Sequence, residues 1–379
     1  MSPNVRVQDM TRPPRTEGLA DLFERIHIDV WLLMFLLAVC TVGLIVLYSA
    51  SGHSLPMVIN QAERLGLGLL VMGATAQLSP ETYRAIAPWL YAFGCVLLAL
   101  TLALGSHAKG AQRWLDLGVV RFQPAELMKL AMPLATAALL HSRPLPPNLR
   151  TVVTTFALIG IPTGLIVVQP DLGTGALVLV SGAFALYVAG LGWRWILGAI
   201  GAVTAAAPIL WSRLHDYQQQ RVLTFLDPER DPLGAGYHIT QSKIAIGSGG
   251  LFGKGWMQGT QAKLDFLPES HTDFIFAVYS EELGLMGVVV LLTLYLLVVG
   301  RGLYIAYRAQ DTFQRLLAAS LSLTFFIYVF INIGMVIGLL PVVGVPLPLV
   351  SYGGTSMVSL LAGFGILMSV HTHRKLLVK

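Results

Sequence analysis

The chain has 379 residues, 55% of them hydrophobic and only 12% charged, with a net charge of +5 and a mean hydropathy of +0.69. Soluble domains carry about 25% charged residues, so the composition excludes a soluble globular protein and indicates a polytopic integral membrane protein. No basic stretch is interleaved with aromatic residues, so no nucleic-acid partner is expected, and Cys40 and Cys95, both in apolar runs, offer neither a disulfide framework nor metal-ligand spacing.

Residues 1–28 are polar and carry Arg6, Arg12, Arg15 and Arg25. A secretory signal would put a short apolar core nearer the start, so this segment reads as a cytosolic tail before an uncleaved first span. A crossing helix needs about 20 apolar residues. Candidate spans are 30–50, 58–78, 85–105, 124–141, 151–168, 172–191, 194–212, 275–299, 316–340 and 351–370. The expected architecture is therefore all-α, with about ten transmembrane helices within 29–371 and a second cytosolic tail over 372–379. Arg84, Arg143, Arg150, Arg194, Arg301, Arg308, Arg315 and Arg374 fall on the side of the N-terminal arginines, which predicts both termini inside. The segment 213–273 then becomes a long extracytoplasmic loop between spans seven and eight, well beyond an ordinary connection.

Several motifs exceed what anchoring requires. The first is the polar segment 106–123, which contains Arg113. Pro124-Ala-Glu126-Leu-Met-Lys129 follows and starts the fourth span, with proline suited to the first helical turn. Glu126 and Lys129, three residues apart, share one helix face. They read either as a polar pocket for an anionic substrate, with Lys129 as its point charge, or as an ion pair pinning helices. Gln169-Pro-Asp171-Leu-Gly-Thr174 is a tight turn in which Asp171 suits substrate contact or capping of the next helix. Pro341, Pro346 and Pro348 lead to Ser351-Tyr-Gly-Gly354 and forbid continuous helix. The run Gly247-Ser-Gly-Gly-Leu-Phe-Gly-Lys-Gly255 fails as a phosphate loop, because Ser248 and Gly255 occupy positions that need Gly and Ser or Thr; it reads as a flexible loop.

Leu267-Pro-Glu-Ser-His-Thr-Asp-Phe-Ile-Phe-Ala-Val-Tyr-Ser-Glu-Glu-Leu-Gly284 puts titratable groups before and inside an apolar segment. Such groups mark function by default. Asp273, beside Phe274 and Ile275, is the candidate general base, because partial desolvation would make its carboxylate a better proton acceptor; helix capping is the alternative. Glu269, His271 and Glu282 are secondary candidates.

This run resembles the signature of the SEDS (shape, elongation, division and sporulation) family. So do Ala111-Gln-Arg-Trp114, Gln123-Pro-Ala-Glu-Leu-Met-Lys129, Gln169-Pro-Asp-Leu-Gly-Thr174 and Pro346-Leu-Pro-Leu-Val-Ser-Tyr-Gly-Gly354. Residues 253–268 look more like the elongation branch than the division branch. The resemblance implies a peptidoglycan glycosyltransferase that polymerises lipid II into a growing glycan strand at the outer face of the inner membrane. It matches Asp273 to the family's essential aspartate, and Arg113, Glu126 and Lys129 to polar residues of a central cavity. It implies partnership with a class B penicillin-binding protein, a transpeptidase, and with MreC and MreD.

In the reaction expected on that basis, Asp273 deprotonates the acceptor hydroxyl and a polyprenyl diphosphate leaves with inversion. Lys129, Arg113 and Arg221 would stabilise the leaving group, and a divalent cation (Mg or Mn) could share the task, although the sequence shows no dedicated cage. The rival is a transporter that flips the lipid-linked precursor without chemistry, since broken helices and intramembrane charges suit it too.

Overall fold

The computed structural model describes residues 26–108, 111–116, 121–213, 216–227, 234–264, 266–267 and 269–373. Both predicted tails lie outside the described residues, apart from 26–28 and 372–373. Helices dominate. In chain order they are α1 (Val30–Ala50), α2 (Leu55–Ala76), α3 (Pro80–Leu104), α4 (Pro124–His141), α5 (Leu149–Val168), α6 (Leu172–Val188), α7 (Trp193–Arg213), α8 (Asp216–Leu226), α9 (Ala235–Gly249), α10 (Thr260–Lys263), α11 (Ile275–Tyr307), α12 (Thr312–Val336) and α13 (Thr355–Thr372). Each candidate span overlaps one of α1–α7 and α11–α13. Six of them, α1, α3, α5, α11, α12 and α13, are long and apolar enough to cross a membrane, and α6 is a shorter apolar helix.

Two expectations are corrected. The chain is not all-α, because 106–122 contains a small antiparallel sheet of β1 (Ser106–Ala108), β2 (Ala111–Asp116) and β3 (Arg121–Phe122). A segment leaving a helix bundle must still pair its backbone N–H and C=O groups, and short antiparallel pairings do so after Gly105 ends α3. The expected long loop over 213–273 holds three helices, α8, α9 and α10.

Helices α4 and α12 form the centre of the bundle, and α4 is buried along most of its length, from Pro124 to Leu140. Helix α13 packs on α2, and α11 on α1, α9 and α12. Outward faces are apolar, as lipid requires: Phe93, Val96 and Leu104 on α3, and Leu285, Val289 and Leu296 on α11, are exposed. Trp31, Trp89 and Trp193, near helix ends, are also exposed, as interfacial anchors are.

Long-range contacts define the two ends of the bundle. At one, Arg301 near the close of α11 binds Asp29 at the start of α1, with Nη2 2.7 Å from Oδ2, and His371 near the end of α13 joins them at 3.4 Å. At the other, Gln61 early in α2 donates to the Ser351 carbonyl, Arg113 to the Pro170 carbonyl and Asn332 late in α12 to the Asp273 carbonyl.

The glycine-rich run 247–255 is a backbone clasp rather than the flexible loop expected from sequence. Lys254 and Gly255 N–H groups donate to the carbonyls of Glu281 and Glu282 at 3.0 and 2.9 Å, while Leu285 and Met286 donate to Gly250 and Leu251 at 2.9 and 3.1 Å. The approach needs Gly253 (φ 79°), where a Cβ would lie 2.1 Å from the Glu282 oxygen, and Gly284 (φ 62°), where it would lie 2.3 Å from the Gly253 nitrogen. Gly284 also leaves helical dihedrals and kinks α11. The clasp fixes the first two turns of α11, and thereby Asp273 just before them.

Candidate functional site

Asp273 lies in a turn immediately before α11 and is half-buried. The N-cap position of α11 is Phe274, with no side-chain cap bond of its own, and Asp273 stands one residue before it. The turn is held from several sides. Its carbonyls at His271 and Thr272 accept from the Tyr352 N–H at 2.9 Å and the Ser351 hydroxyl at 2.6 Å. Asn332 Nδ2 bridges the Asp273 carbonyl at 2.9 Å and the Val345 carbonyl at 2.7 Å. The Asp273 carboxylate faces Gly344 (φ 71°), where a Cβ would sit 3.5 Å from Oδ2. The proline-broken segment 341–350 therefore passes beside the carboxylate as irregular backbone, with a glycine at the nearest point.

Glu126 and Lys129 are buried, 6% and 7% exposed, and pair with each other at 2.7 Å. Lys129 also donates to the Tyr328 hydroxyl at 3.0 Å, and Ser359 donates to Glu126 at 2.8 Å. The lysine charge is thus already neutralised within the bundle. Tyr328 and Asn332 stand four residues apart on one face of α12, about 6 Å along its axis. That single helical turn links the Glu126–Lys129 pair to the Asp273 backbone. A cleft of about 440 Å³ lies between α4, α12 and α13, lined by Lys129, Tyr328 and Ser359 and otherwise mainly by apolar side chains such as Phe325, Phe364 and Leu367. A second, of about 220 Å³, shares Tyr328 and Leu360 and reaches Pro346, Ser351 and Ser356.

The remaining candidates divide. Asp171 caps α6, accepting from the Thr174 N–H at 3.3 Å, and also meets Gln123 at 3.2 Å and Arg113 Nε at 3.6 Å. The capping reading of Asp171 therefore holds, and Arg113 is bound to the same turn. Glu269 (φ 58°) is exposed and accepts from Thr272 at 2.8 Å, tightening the turn ahead of Asp273. The His271 ring meets Tyr352 edge-on at 6.2 Å. Glu282 is 2% exposed and accepts from Ser49 of α1, away from open space. Its neighbour Glu281 is fully buried and accepts from Lys254 at 2.6 Å. Arg221 falls on α8, but its side chain lies outside the described residues. Sequence reasoning missed Tyr328, Asn332, Ser359 and Tyr352, whose polar groups have no local pattern and become partners only through the fold. Among the described residues, no group of three His, Cys, Asp or Glu side chains converges to hold a metal ion.

These features define a multi-pass membrane protein with its reactive groups gathered at one end of a helical bundle. Residues 29–376 match the family model described as "Cell cycle protein", named for FtsW, RodA and SpoVE, and the chain belongs to that family, the SEDS proteins. It is 55% identical to the peptidoglycan glycosyltransferase MrdB of Escherichia coli K12, over 94% of this chain and 97% of that one. It is 36% identical to the probable peptidoglycan glycosyltransferase FtsW of Thiomicrospira cyclica, over 92% and 93%. Among solved structures, the rod shape determining protein RodA of Thermus thermophilus superposes with a TM-score of 0.70 at 32% identity, covering 92% of this chain and 98% of that one. A chain from a peptidoglycan synthase complex, described as coordinating polymerization and crosslinking, superposes with a TM-score of 0.80 at 34% identity, covering 92% and 99%.

Proposed function

We infer that this chain is a peptidoglycan glycosyltransferase that polymerises lipid II into glycan strands during cell elongation, with Asp273 as the general base. One observation carries the mechanistic part: a half-buried carboxylate stands just before α11, in a turn held from several sides and beside the backbone of Gly344. In the proposed step the acceptor GlcNAc 4-hydroxyl attacks the anomeric carbon of the donor MurNAc. The new C–O bond forms as the bond to diphosphate breaks, the hydroxyl proton passes to Asp273, and polyprenyl diphosphate departs with inversion. A positioned base of this kind contributes roughly 10²–10⁴-fold.

Lys129, Tyr328 and Ser359 act as the polar head of the cleft, and its apolar lining suits a polyprenyl chain. The described acidic groups supply no cage, so a divalent cation bound during turnover would be held mainly by the substrate's own oxygens. The reading includes ten crossings of the inner membrane with both termini inside, supported by the charge bias of the short loops. The Asp273 end then faces outward with 213–273. A class B penicillin-binding protein is the proposed partner, in keeping with the synthase complex that contains a structural neighbour; MreC and MreD extend the same proposal.

The test is glycan output by the purified protein with its transpeptidase on preassembled lipid II in detergent, where flipping has no meaning. Wild type should form polymer, and Asp273→Asn should lose at least 100-fold while unfolding at the same temperature. Near wild-type output from Asp273→Asn removes it as the base, and no product from wild type favours the transporter.

A further inference from the structure

Coupling two lipid-linked sugars brings two diphosphates to one membrane face: that of the donor, which leaves, and that of the acceptor, which stays. Four of the cations named so far are occupied. Lys129 pairs with Glu126, Arg113 with Asp171, Lys254 with Glu281 and Arg301 with Asp29. Arg64 differs. It lies about 14 Å along α2, followed one turn later by exposed Leu67 and then Leu70, and it is half-buried. Among the described residues it makes no ion pair or hydrogen bond; its contact is the Tyr352 ring, 4.6 Å from the guanidinium carbon. A half-buried charge without a counter-ion on an apolar helix is costly and marks function.

The Tyr352 ring lies against the guanidinium, and among the described residues its N–H groups carry no hydrogen bond, which leaves them for bidentate binding of phosphate. Gly354 keeps the neighbouring space open, since a Cβ there would sit 3.7 Å from Arg64 Nε. The position is rigid. Gln61, three residues earlier on α2, donates to the Ser351 carbonyl at 3.0 Å and accepts from the Gly353 N–H at 3.3 Å, and Tyr352 is tied to His271, two residues before Asp273.

We propose that Arg64, stacked on Tyr352, binds the diphosphate of the acceptor lipid and so delivers its sugar hydroxyl to Asp273. The leaving diphosphate must sit beside the reacting carbon, whereas Arg64 touches Tyr352, which in turn contacts His271, two residues before Asp273; Arg64 therefore serves the diphosphate that is retained. The inference rests on the glycosyltransferase reading above and deepens it.

The experiment is a single coupling in detergent with the partner transpeptidase present. The donor is lipid II whose GlcNAc 4-hydroxyl is blocked, and the acceptor is unblocked lipid II; each is varied in turn. Arg64→Gln should raise the acceptor KM about tenfold or more, leave the donor KM unchanged, and be partly restored by Arg64→Lys. An unchanged acceptor KM, a rise in donor KM instead, or a fall in kcat alone overturns the proposal. A second arm needs no chemistry: equilibrium binding of lipid II to Asp273→Asn and to Asp273→Asn/Arg64→Gln. Tenfold weaker binding by the double variant supports the site even if no variant couples sugars, and equal binding overturns it.

Discussion

At the Asp29 end of the bundle, α1, α3, α5 and α12 start from Asp29, Ser79, Asn148 and Asp311, each accepting a hydrogen bond from its own first turn. At the Asp273 end, α2, α4, α11 and α13 start from Ser54, Gln123, Phe274 and Gly354 with no such bond. Among these described helix starts, α6, capped by Asp171, departs from the pattern. Charges follow suit: Asp29, Arg301 and His371 close on one another, while the far end keeps Arg64 without a carboxylate among the described residues. One end is finished for stability. The other leaves helix N–H groups and the positive ends of helix dipoles unspent, where an anionic, lipid-linked substrate would use them.

That contrast would be tested hardest at Lys129, a buried cation of the Asp273 end. Lys129→Met leaves the Glu126 carboxylate unpaired in a low-dielectric interior and should cost about 3–5 kcal/mol. The double variant Glu126→Gln/Lys129→Met should recover most of that loss, read as thermal unfolding in detergent and accumulation in membranes. If Lys129→Met unfolds at the wild-type temperature yet polymerises slowly, the lysine serves substrate and this end holds no structural pair.

A smaller effect compares the caps directly. Asp311→Ala should destabilise by about 1 kcal/mol, whereas Ser54→Ala, which removes no cap bond, should be close to neutral. Equal losses would erase the distinction between the ends.

The smallest effect concerns His27, whose ring stacks on His373 at 3.7 Å. Burial first, and the neighbouring His373 second, hold the His27 pKa below its ordinary value. A base depressed in this way contributes stability that is whole above its unfolded pKa of about 6.5 and is lost as pH falls through the lower folded value. The unfolding temperature should therefore drop slightly between about pH 7.5 and about pH 5, and His27→Gln should flatten that slope. A slope unaltered in the variant assigns the pH response elsewhere.

The helices were legible because apolar length is a direct record of bilayer thickness, and the position of Asp273 before α11 stood out because a carboxylate at the head of an apolar helix is expensive wherever it is found. The strands of 106–122 were not, since strands of 3, 6 and 2 residues are too short to show alternation. The glycine run 247–255 misled for a different reason: glycine content signals freedom in a chain read alone, yet here it permits backbone-on-backbone contact with residues 281–286. Lys129 and Tyr328, 199 residues apart, meet only through tertiary packing. Arg64 gives no signal in the sequence, because nothing local distinguishes a guanidinium packed on a ring from a solvated one.

The clasp at Gly253 and Gly284 carries a consequence for how this enzyme can diverge. Because main-chain atoms make the contact, most substitutions outside the glycines leave it intact, but adding or deleting one residue between Gly249 and Gly255 would slip its register against 281–286. Homologues can therefore be expected to vary the chemistry of this strip freely while conserving its length, so that spacing, more than identity, is what inheritance protects there.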